Sequence, residues 1–493
     1  MTVTMGWKFY GRQRELMDLV AALERGRFFF VRVTGRRRIG KTTLVRQALE
    51  RSGRTKVFYV QIPDSAPAGV ISAVRDAMET FAITEVALPT TLFELARVLG
   101  TLIRHGYVVA LDEFQYFSRK ALHEFLSHLQ ATVDELTRDA ATVTGGLIVL
   151  GSLHAELTAL LDDRDTPLYN RTTDDLELPH LDIGSILEIL DAHADRSPER
   201  LLFLWNLFEG VPKFYRDCFE QGVLNAERKP LLTRMFFGSS SPLRAEADHW
   251  FLSELRGRYD VVLKHIAKNP GCSHGDLEAH VRETSPETSE QVAGYIKILT
   301  DRYQLIERRL PVFAKANARS GRYHIRDNFL RTWLAALHGP VAAVSFRPEA
   351  ALVEQANARL VDAEGQGFER LVAQLYAERS RLGIGDFAMT QKVSGYWDKK
   401  DTEIDLVALD SDQQIIRFGT CKRDAERLRY EPDALRAHVQ RFLAAHRQYA
   451  TWKVELVACA PRLTPAIRAD LQTRGLIPQD LNDLTDLAEG SRP

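Results

Sequence analysis

The chain has 493 residues, of which 45% are hydrophobic and 27% are charged, and its net charge is −1. Such values predict a soluble protein of about three or four domains, and they exclude an overall electrostatic attraction to nucleic acid. The four scattered cysteines lack C-x-x-C spacing, so we expect neither a disulfide framework nor a zinc site. The sequence has neither an apolar stretch of membrane-spanning length nor a secretory signal pattern, so we expect a cytoplasmic protein without a membrane span.

The first predicted element is a short apolar, β-prone run at residues 28–33. It is followed by residues 35–42, which read GRRRIGKT and fit the pattern G-x-x-x-x-G-K-S/T, and then by a helical pattern at residues 43–49. A strand, a glycine-rich turn and a helix in this order predict the phosphate-binding loop of a nucleoside triphosphatase. The candidate nucleotide-binding residues are Gly35, Arg36, Arg37, Arg38, Ile39, Gly40, Lys41, Thr42 and Thr43.

The residue types of this loop suit a triphosphate and a magnesium ion. Gly35 and Gly40 allow backbone N–H groups to approach phosphate oxygens at the positive end of the following helix. We expect Lys41 to contact the β- and γ-phosphates as a catalytic residue, and Thr42 to bind Mg²⁺ through its hydroxyl. The arginines between the glycines favour an outward-facing basic turn, with extra phosphate or nucleic-acid contacts as the alternative.

The next informative element is a buried strand that ends in two carboxylates. Residues 107–111 are uninterruptedly apolar, as expected for a parallel strand, and Asp112 and Glu113 follow them. We expect Asp112 to hold Mg²⁺ and Glu113 to polarise the attacking water as the catalytic base. The alternative is a strand that merely ends in a charged turn.

Two further candidates follow a third apolar strand at residues 146–151. Ser152 stands at the tip of this strand and is a candidate sensor of the γ-phosphate, although it also suits the cap of the next helix. Arg171 is a candidate for contact with the γ-phosphate, in its own chain or from a neighbouring subunit. The alternative for Arg171 is a solvated surface arginine.

Several segments together resemble one family. Residues 9–16 (FYGRQREL), 35–42 (GRRRIGKT) and 111–116 (LDEFQY) are similar to signatures of the archaeal-type ATPases, a branch of the STAND and AAA+ P-loop ATPases. Residues 210–215 resemble the turn of that family's helical lid, and residues 323–330 resemble another of its segments. The resemblance implies ATP with Mg²⁺, contacts from Gly11 and Arg12 to the nucleotide base, and Lys213 facing the nucleotide, with a homo-oligomer as one option. GTP remains open.

Residues 256–333 predict three short helices and a hairpin, the order of a winged helix. The helices are expected at residues 261–267, 275–281 and 289–303, and the wing strands at 305–315 and 322–325. From residue 301 to 331 there are 8 basic and 3 acidic side chains, which favours contact with duplex DNA. The alternative is a module that only packs against the nucleotide domain.

The C-terminal segment resembles the PD-(D/E)XK nucleases. Glu369 lies in an amphipathic helix, Glu403 and Asp405 open a strand, and the next strand ends near Lys422. Asp405 and Lys422 fit the first acid and the lysine of that pattern, but Thr420 stands where the second acid belongs. A hydroxyl is a weaker ligand for a hard cation than a carboxylate, so we expect lower metal affinity unless Glu403 or Glu369 compensates. A competent nuclease and a degenerate binding core are both open.

The predicted fold is therefore a multidomain α/β protein. It comprises a P-loop ATPase core with a parallel sheet (1–183), a helical lid (184–250), a winged helix (251–340) and a restriction-endonuclease-like α/β domain (341–493). The leading functional hypothesis is a Mg²⁺-dependent ATPase that acts as a switch or motor on DNA. The alternatives are an ATP-dependent protein-assembly switch without DNA and an ATP-dependent, Mg²⁺-dependent DNA endonuclease.

Overall fold

The computed structural model describes residues 6–152, 154–244, 246, 259–284, 291–399 and 401–486. It divides into two compact units, Gly11–His180 and the remainder, Met1–Tyr10 with Leu181–Pro493. Within the described residues, no helix is both long enough and apolar enough to cross a lipid bilayer.

The unit Gly11–His180 is built on a five-stranded, wholly parallel sheet with the strand order β2-β3-β4-β1-β5. The strands are β1 (Phe29–Gly35), β2 (Val57–Gln61), β3 (Val108–Asp112), β4 (Gly146–Gly151) and β5 (Asp174–Leu178). The helices are α1 (Gln13–Glu24), α2 (Lys41–Arg51), α3 (Pro67–Thr80), α4 (Leu92–Arg104), α5 (Glu124–Arg138) and α6 (His154–Leu161). This confirms the predicted parallel-sheet P-loop fold.

The sequence explains why the central strands lie inside this unit. Every residue of β3 and β4 is buried, because helices cover both faces of a parallel sheet and its strands are therefore apolar throughout. On one face α4 packs against α5, and α4 begins where the Thr91 hydroxyl accepts a hydrogen bond from the Glu94 N–H. The carboxyl ends of β1, β3 and β4 consequently meet at one edge of the sheet, where ligands bind in such folds.

The second unit begins with helices in the segment predicted as a lid. These are α7 (Ile183–His193), α8 (Pro198–Phe208), α9 (Pro212–Glu220) and α10 (Arg228–Leu232). The helix α8 is almost entirely buried and packs against two later helices, α14 (Asn328–Thr332) and α16 (Glu349–Arg381). The short helix α15 (His338–Ala342) lies between those two in the chain.

Three helices and a hairpin follow in the predicted order. They are α11 (Asp260–Lys268), α12 (His274–Thr284), α13 (Val292–Lys297), β6 (Ile306–Arg309) and the antiparallel strand β7 (Arg322–Ile325). Residues 289 and 290 of the predicted third helix lie outside the described residues.

The first hairpin strand is shorter than predicted, since it ends at Arg309 instead of residue 315. The chain leaves the hairpin there because Val312 donates a backbone hydrogen bond to Gly395 at 3.0 Å, and the Phe313 ring stacks on Tyr449. Residues 310–321, the loop between β6 and β7, are therefore held by the C-terminal segment.

The C-terminal segment forms a mixed sheet with the order β12-β11-β10-β9-β8. Its strands are β8 (Ser394–Trp397), β9 (Glu403–Asp410), β10 (Ile415–Cys421), β11 (Lys453–Ala460) and β12 (Ile477–Asp480), accompanied by α17 (Pro432–Ala445), α18 (Pro465–Thr473) and α19 (Leu481–Thr485). The strands β8, β9 and β10 are antiparallel neighbours, and β10 pairs parallel with β11. The edge strand β8 places Tyr396 in the core.

Candidate active site

A buried lysine lies at the start of α2. The Lys41 side chain is 6% exposed, and its Nζ donates to the carbonyls of Gly35 (2.9 Å) and Arg36 (3.2 Å) and to the Ser152 hydroxyl (3.1 Å). Burial lowers the pKa of Lys41 to about 8, although Glu113 and Asp112 oppose this shift. The ammonium is thus held by neutral hydrogen-bond acceptors at the edge of the sheet, and a phosphate that binds there would replace them with an anionic partner.

The predicted metal ligands lie side by side. The Thr42 hydroxyl donates to Oδ2 of Asp112 at 2.8 Å, and Asp112 is 6% exposed. Tyr59, on the neighbouring strand β2, donates to the same Oδ2 at 2.7 Å, and burial together with Asp112 raises the pKa of Tyr59. Tyr59 was not predicted as a site residue, although a tyrosine within the β-prone run at residues 57–61 was a usable signal.

The predicted base belongs to the same cluster. Ser152 donates to Oε1 of Glu113 at 3.4 Å, and the Gln115 amide donates to the other carboxylate oxygen. Ser152 therefore joins Lys41 to Glu113. Gln115, 2% exposed, was missed as a site residue, although it lies within the LDEFQY signature.

The backbone of this cluster adopts conformations that side chains disfavour. Gly35 has φ of 144° and Gly40 has φ of 100°, and a Cβ on Gly35 would lie 2.7 Å from the Leu178 carbonyl oxygen. Arg38 (66°) and Glu113 (55°) are non-glycine residues in the left-handed region. Such strain costs on the order of 1–3 kcal/mol per residue and is concentrated at functional sites, where the surrounding structure enforces it.

The other predicted residues of the loop lie around this cluster. Ile39 is buried, Arg37 is exposed, and Arg36 donates to the Arg37 carbonyl at 3.1 Å. The exposure of Arg37 agrees with an outward-facing basic turn. Thr43 is partly buried in the first turn of α2.

Three of the four remaining candidates have protein partners of their own. Arg171 forms a two-pronged ion pair with Asp134, with hydrogen bonds of 2.7 and 3.1 Å. Gly11 and Arg12 both have positive φ just before α1, and Arg12 donates to the Pro179 carbonyl. Lys213 lies in the other unit and pairs with Asp217. The nucleotide contacts expected of these four residues remain predictions.

Two family models match the chain. Residues 9–214 match an ATPase domain found predominantly in Archaea. The chain carries an archaeal-type ATPase domain. Residues 333–431 match a second model, which describes archaeal and bacterial proteins of unknown function. The predicted family resemblance of the ATPase part is confirmed, and the enzyme class is ATPase.

Comparison with individual proteins gives similarities over longer spans. An uncharacterized protein of Methanocaldococcus jannaschii is 23% identical over 84% of this chain and 87% of its own length. The Walker-type ATPase of Pyrococcus abyssi is 19% identical with a TM-score of 0.51, over 66% of this chain and 96% of that protein, which shows a shared fold. The ORC2 protein of Aeropyrum pernix, solved as ADPNP–ADP complexes, is 14% identical with a TM-score of 0.46, over 73% of this chain and 96% of that one.

The ATPase domain has a donor set that fits magnesium. Mg²⁺ prefers oxygen ligands, usually one or two from the protein together with water and substrate phosphates. Thr42 Oγ1 and Asp112 Oδ2 are such oxygens, 2.8 Å apart at the edge of the sheet. Tyr59 fixes the orientation of the Asp112 carboxylate, which is the role that outer hydrogen-bond partners play in metal sites.

A second polar cluster lies in the C-terminal mixed sheet, in a cavity of about 210 Å³. Asp405 Oδ2 accepts hydrogen bonds from the Cys421 N–H (2.8 Å), Lys422 Nζ (3.2 Å) and the Thr420 hydroxyl (3.3 Å). The Glu431 carboxylate, at the start of α17, lies 3.4 Å from the Thr420 hydroxyl and 3.8 Å from Lys422 Nζ. Glu431 was missed, because no spacing in the sequence relates it to Asp405.

The two acids suggested as compensating ligands differ in their surroundings. Glu403 pairs with Arg322 at 2.6 Å, so its charge is already matched. Glu369 is partly buried near Asp405, and burial followed by the Asp405 charge raises the pKa of Glu369 to about 8. In the structure the second carboxylate next to Thr420, besides Asp405, is Glu431, from an element that the sequence pattern did not include.

Proposed function

We propose that the protein is a Mg²⁺-dependent ATPase that works as a switch on duplex DNA. The observation that supports the Mg²⁺ and catalytic assignments is a single cluster: Lys41, Thr42, Asp112, Glu113 and Ser152 are linked by hydrogen bonds at the edge of the parallel sheet. The cluster contains a cation for phosphate, oxygen ligands for a metal, and a carboxylate for water.

Each member of the cluster has a chemical role in this proposal. Lys41 exchanges its carbonyl acceptors for the β- and γ-phosphates of ATP. Thr42 and Asp112 hold Mg²⁺, which neutralises part of the phosphate charge. Glu113 orients the attacking water and accepts its proton. Ser152, hydrogen-bonded to both Lys41 and Glu113, reports the γ-phosphate, since loss of that phosphate changes the partners of both side chains.

A magnesium titration tests the ATPase part of the proposal. Phosphate release by the full chain should require Mg²⁺, and Asp112→Asn should raise the Mg²⁺ concentration for half-maximal rate by about 10-fold or more. Asp139→Asn is the matched control, since Asp139 is an exposed acid of the same unit that pairs with Arg104. Equal Mg²⁺ dependence of the Asp112→Asn variant and the wild type would remove Asp112 from the metal site.

The DNA part of the proposal rests on charge near the hairpin. Several basic side chains of this segment are engaged within the protein: Arg322 pairs with Glu403, Arg309 pairs with Glu307, and Arg331 is buried. Lys315 and Arg319 remain exposed in the loop between the hairpin strands, where a duplex backbone has access to them. The double change Lys315→Ala and Arg319→Ala should weaken duplex binding. It should also make the plot of log affinity against log salt concentration less steep, by about 2 in slope.

Protein assembly without DNA is the competing proposal for the same switch. The observation that favours it is the loop at residues 310–321, which contacts the C-terminal segment through Val312, Phe313 and Ser320. A hairpin used for internal packing needs no DNA. ATP-dependent mass changes in light scattering, with no duplex binding at low salt, would favour assembly over DNA.

The second candidate activity is metal-dependent DNA cleavage by the C-terminal domain. It is supported by the position of Glu431 beside Thr420, which restores a carboxylate where the nuclease pattern lacks one. Plasmid cleavage in Mg²⁺ or Mn²⁺ should disappear in Asp405→Ala and in Glu431→Gln, and persist in Glu426→Gln, which changes an exposed acid nearby. Cleavage that survives Asp405→Ala would assign it to a contaminant and reject this candidate.

A further inference from the structure

A buried arginine in α14 has no carboxylate partner among the described residues. Arg331 is 2% exposed, and its guanidinium donates to three neutral acceptors: the Ala363 carbonyl at 3.2 Å and the side chains of Asn206 and Asn328. Its Nε has no hydrogen-bond acceptor among the described residues. Burial, followed by the charge of Arg370, lowers the pKa of Arg331 to about 9. A buried cation with no anion is costly, so such a group marks a place where an anion stabilises the protein.

Arg331 lines a cavity of about 450 Å³ between α11, α14 and α16. Two more cations, Lys268 and Arg359, line the same cavity, whereas Asp362 is its one carboxylate. Lys268 and Arg359 are exposed, and neither makes an ion pair or hydrogen bond within the described part of the chain. Three cations against one carboxylate give the cavity a local charge of +2, in the volume range of small-molecule sites.

The cavity also offers hydrogen-bond acceptors. Gln366 bonds through its amide nitrogen to His324 Nδ1 at 2.8 Å, and its buried Oε1 has no donor among the described residues. The Asp362 carboxylate lies on the same lining. A matching ligand therefore carries an anionic group with several oxygens and at least one O–H or N–H donor. A phosphate meets this requirement better than a carboxylate, since it presents three oxygens to three cations.

We propose that this cavity binds a small phosphate-bearing anion, with Arg331, Lys268 and Arg359 on the phosphate oxygens and Gln366 on a donor group of the ligand. None of the residues that line this cavity belongs to the phosphate-binding loop, since all of them lie in the unit that contains Leu181–Pro493. A phosphate of a DNA backbone is a poorer candidate, since a rigid duplex does not reach a guanidinium that is 2% exposed. The anion would tie α11 to α16.

The test is calorimetric titration of inorganic phosphate into the full chain, saturated with Mg²⁺ and ADP so that the phosphate-binding loop is occupied. We expect saturable binding at one site, weakened about 10-fold or more by the double change Lys268→Ala and Arg359→Ala. Both positions are exposed, so this variant should fold normally. The matched control is Arg347→Ala with Arg447→Ala, which removes two exposed arginines of the same unit. Arg331→Gln should abolish binding.

Two results would overturn the proposal. The first is that phosphate shows no saturable binding, or that its binding is unchanged by the Lys268 and Arg359 substitutions. Unchanged binding would mean an adventitious ion only. The second is that duplex DNA binding depends on Lys268 and Arg359, while titration of phosphate produces no heat. That result would make these two residues contacts to the phosphate backbone of DNA. Failure of either kind leaves ATP hydrolysis untouched, so the outcome is independent of the proposed ATPase mechanism.

Discussion

The ATPase site and the C-terminal cavity each contain a lysine beside carboxylates, but the two lysines are in opposite electrostatic states. Lys41 is held by two carbonyls and a hydroxyl, and burial lowers its pKa to about 8. Lys422 lies 3.2 Å from Asp405 and 3.8 Å from Glu431, and these carboxylates raise its pKa. The direct partners of Lys41 are neutral, whereas Lys422 has two carboxylates within 4 Å, so of these two sites the ATPase site is the one prepared for a highly charged anionic substrate.

The largest expected effect sharpens this comparison. Lys41→Ala should reduce ATP hydrolysis about 10²–10³-fold, because it removes the cation that stabilises charge on the phosphates. Lys422→Ala should leave the rate within about 2-fold, since its charge is matched inside another unit. Phosphate release at saturating Mg²⁺ measures both. An equal loss in the two variants would show that the sites are not independent.

Changing the proposed base comes next in size. Glu113→Gln should slow hydrolysis about 10²-fold or more, because the amide cannot accept the proton of the attacking water. ATP binding, measured by calorimetry, should remain within a few-fold of wild type. Glu124→Gln, an exposed acid of the same unit, is the control. Hydrolysis by Glu113→Gln at the wild-type rate would make the assignment of the base wrong.

The lowered pKa of Lys41 predicts a pH effect of intermediate size. Phosphates stabilise the protonated ammonium, so ATP binding should raise the pKa of Lys41 above its value of about 8 in the free protein. Above pH 8 binding should therefore take up a proton, and affinity should fall by up to about 10-fold per pH unit. Calorimetry in two buffers of different ionisation enthalpy measures this uptake. Lys41→Arg keeps its charge and should show none; uptake that persists in this variant would assign the proton to another group.

The smallest effect concerns the orientation of the metal ligand. Tyr59→Phe deletes the hydrogen bond to Asp112 Oδ2 and leaves the ring in place. The Mg²⁺ concentration for half-maximal hydrolysis should rise by up to about 10-fold, with little change in the rate at saturating Mg²⁺. Tyr107→Phe, in the same unit, is the control. An unchanged Mg²⁺ requirement in Tyr59→Phe would mean that Asp112 is oriented without the tyrosine.

The site residues that could be predicted from the sequence are those that lie in short motifs directly after strands. In a parallel sheet the residues after neighbouring strands meet at one edge, so Lys41, Asp112, Glu113 and Ser152 could be grouped from three short motifs. The partners that complete the groups come from elsewhere. Tyr59 arrives through the pairing of β2 with β3, and Glu431 through the packing of α17 on the mixed sheet.

The hairpin shows the same limit. Its two strands were predicted from their place in the order of a winged helix. The first strand ends early because Phe313 packs among C-terminal aromatic rings, a tertiary contact that no local pattern encodes. The ion pair between Arg322 and Glu403 likewise joins side chains 81 positions apart. The ion pair also engages a basic side chain that the charge count along the sequence had treated as available to DNA.

The most direct test of the central claim is ATP hydrolysis by the full chain with and without duplex DNA, at about 50 mM and about 200 mM salt. An ATPase that acts on DNA predicts hydrolysis that duplex DNA stimulates at low salt, stimulation that fades at high salt, and no activity above background in Lys41→Ala. Hydrolysis that depends on Lys41 but is indifferent to DNA at both salt concentrations would contradict the DNA switch and favour protein assembly.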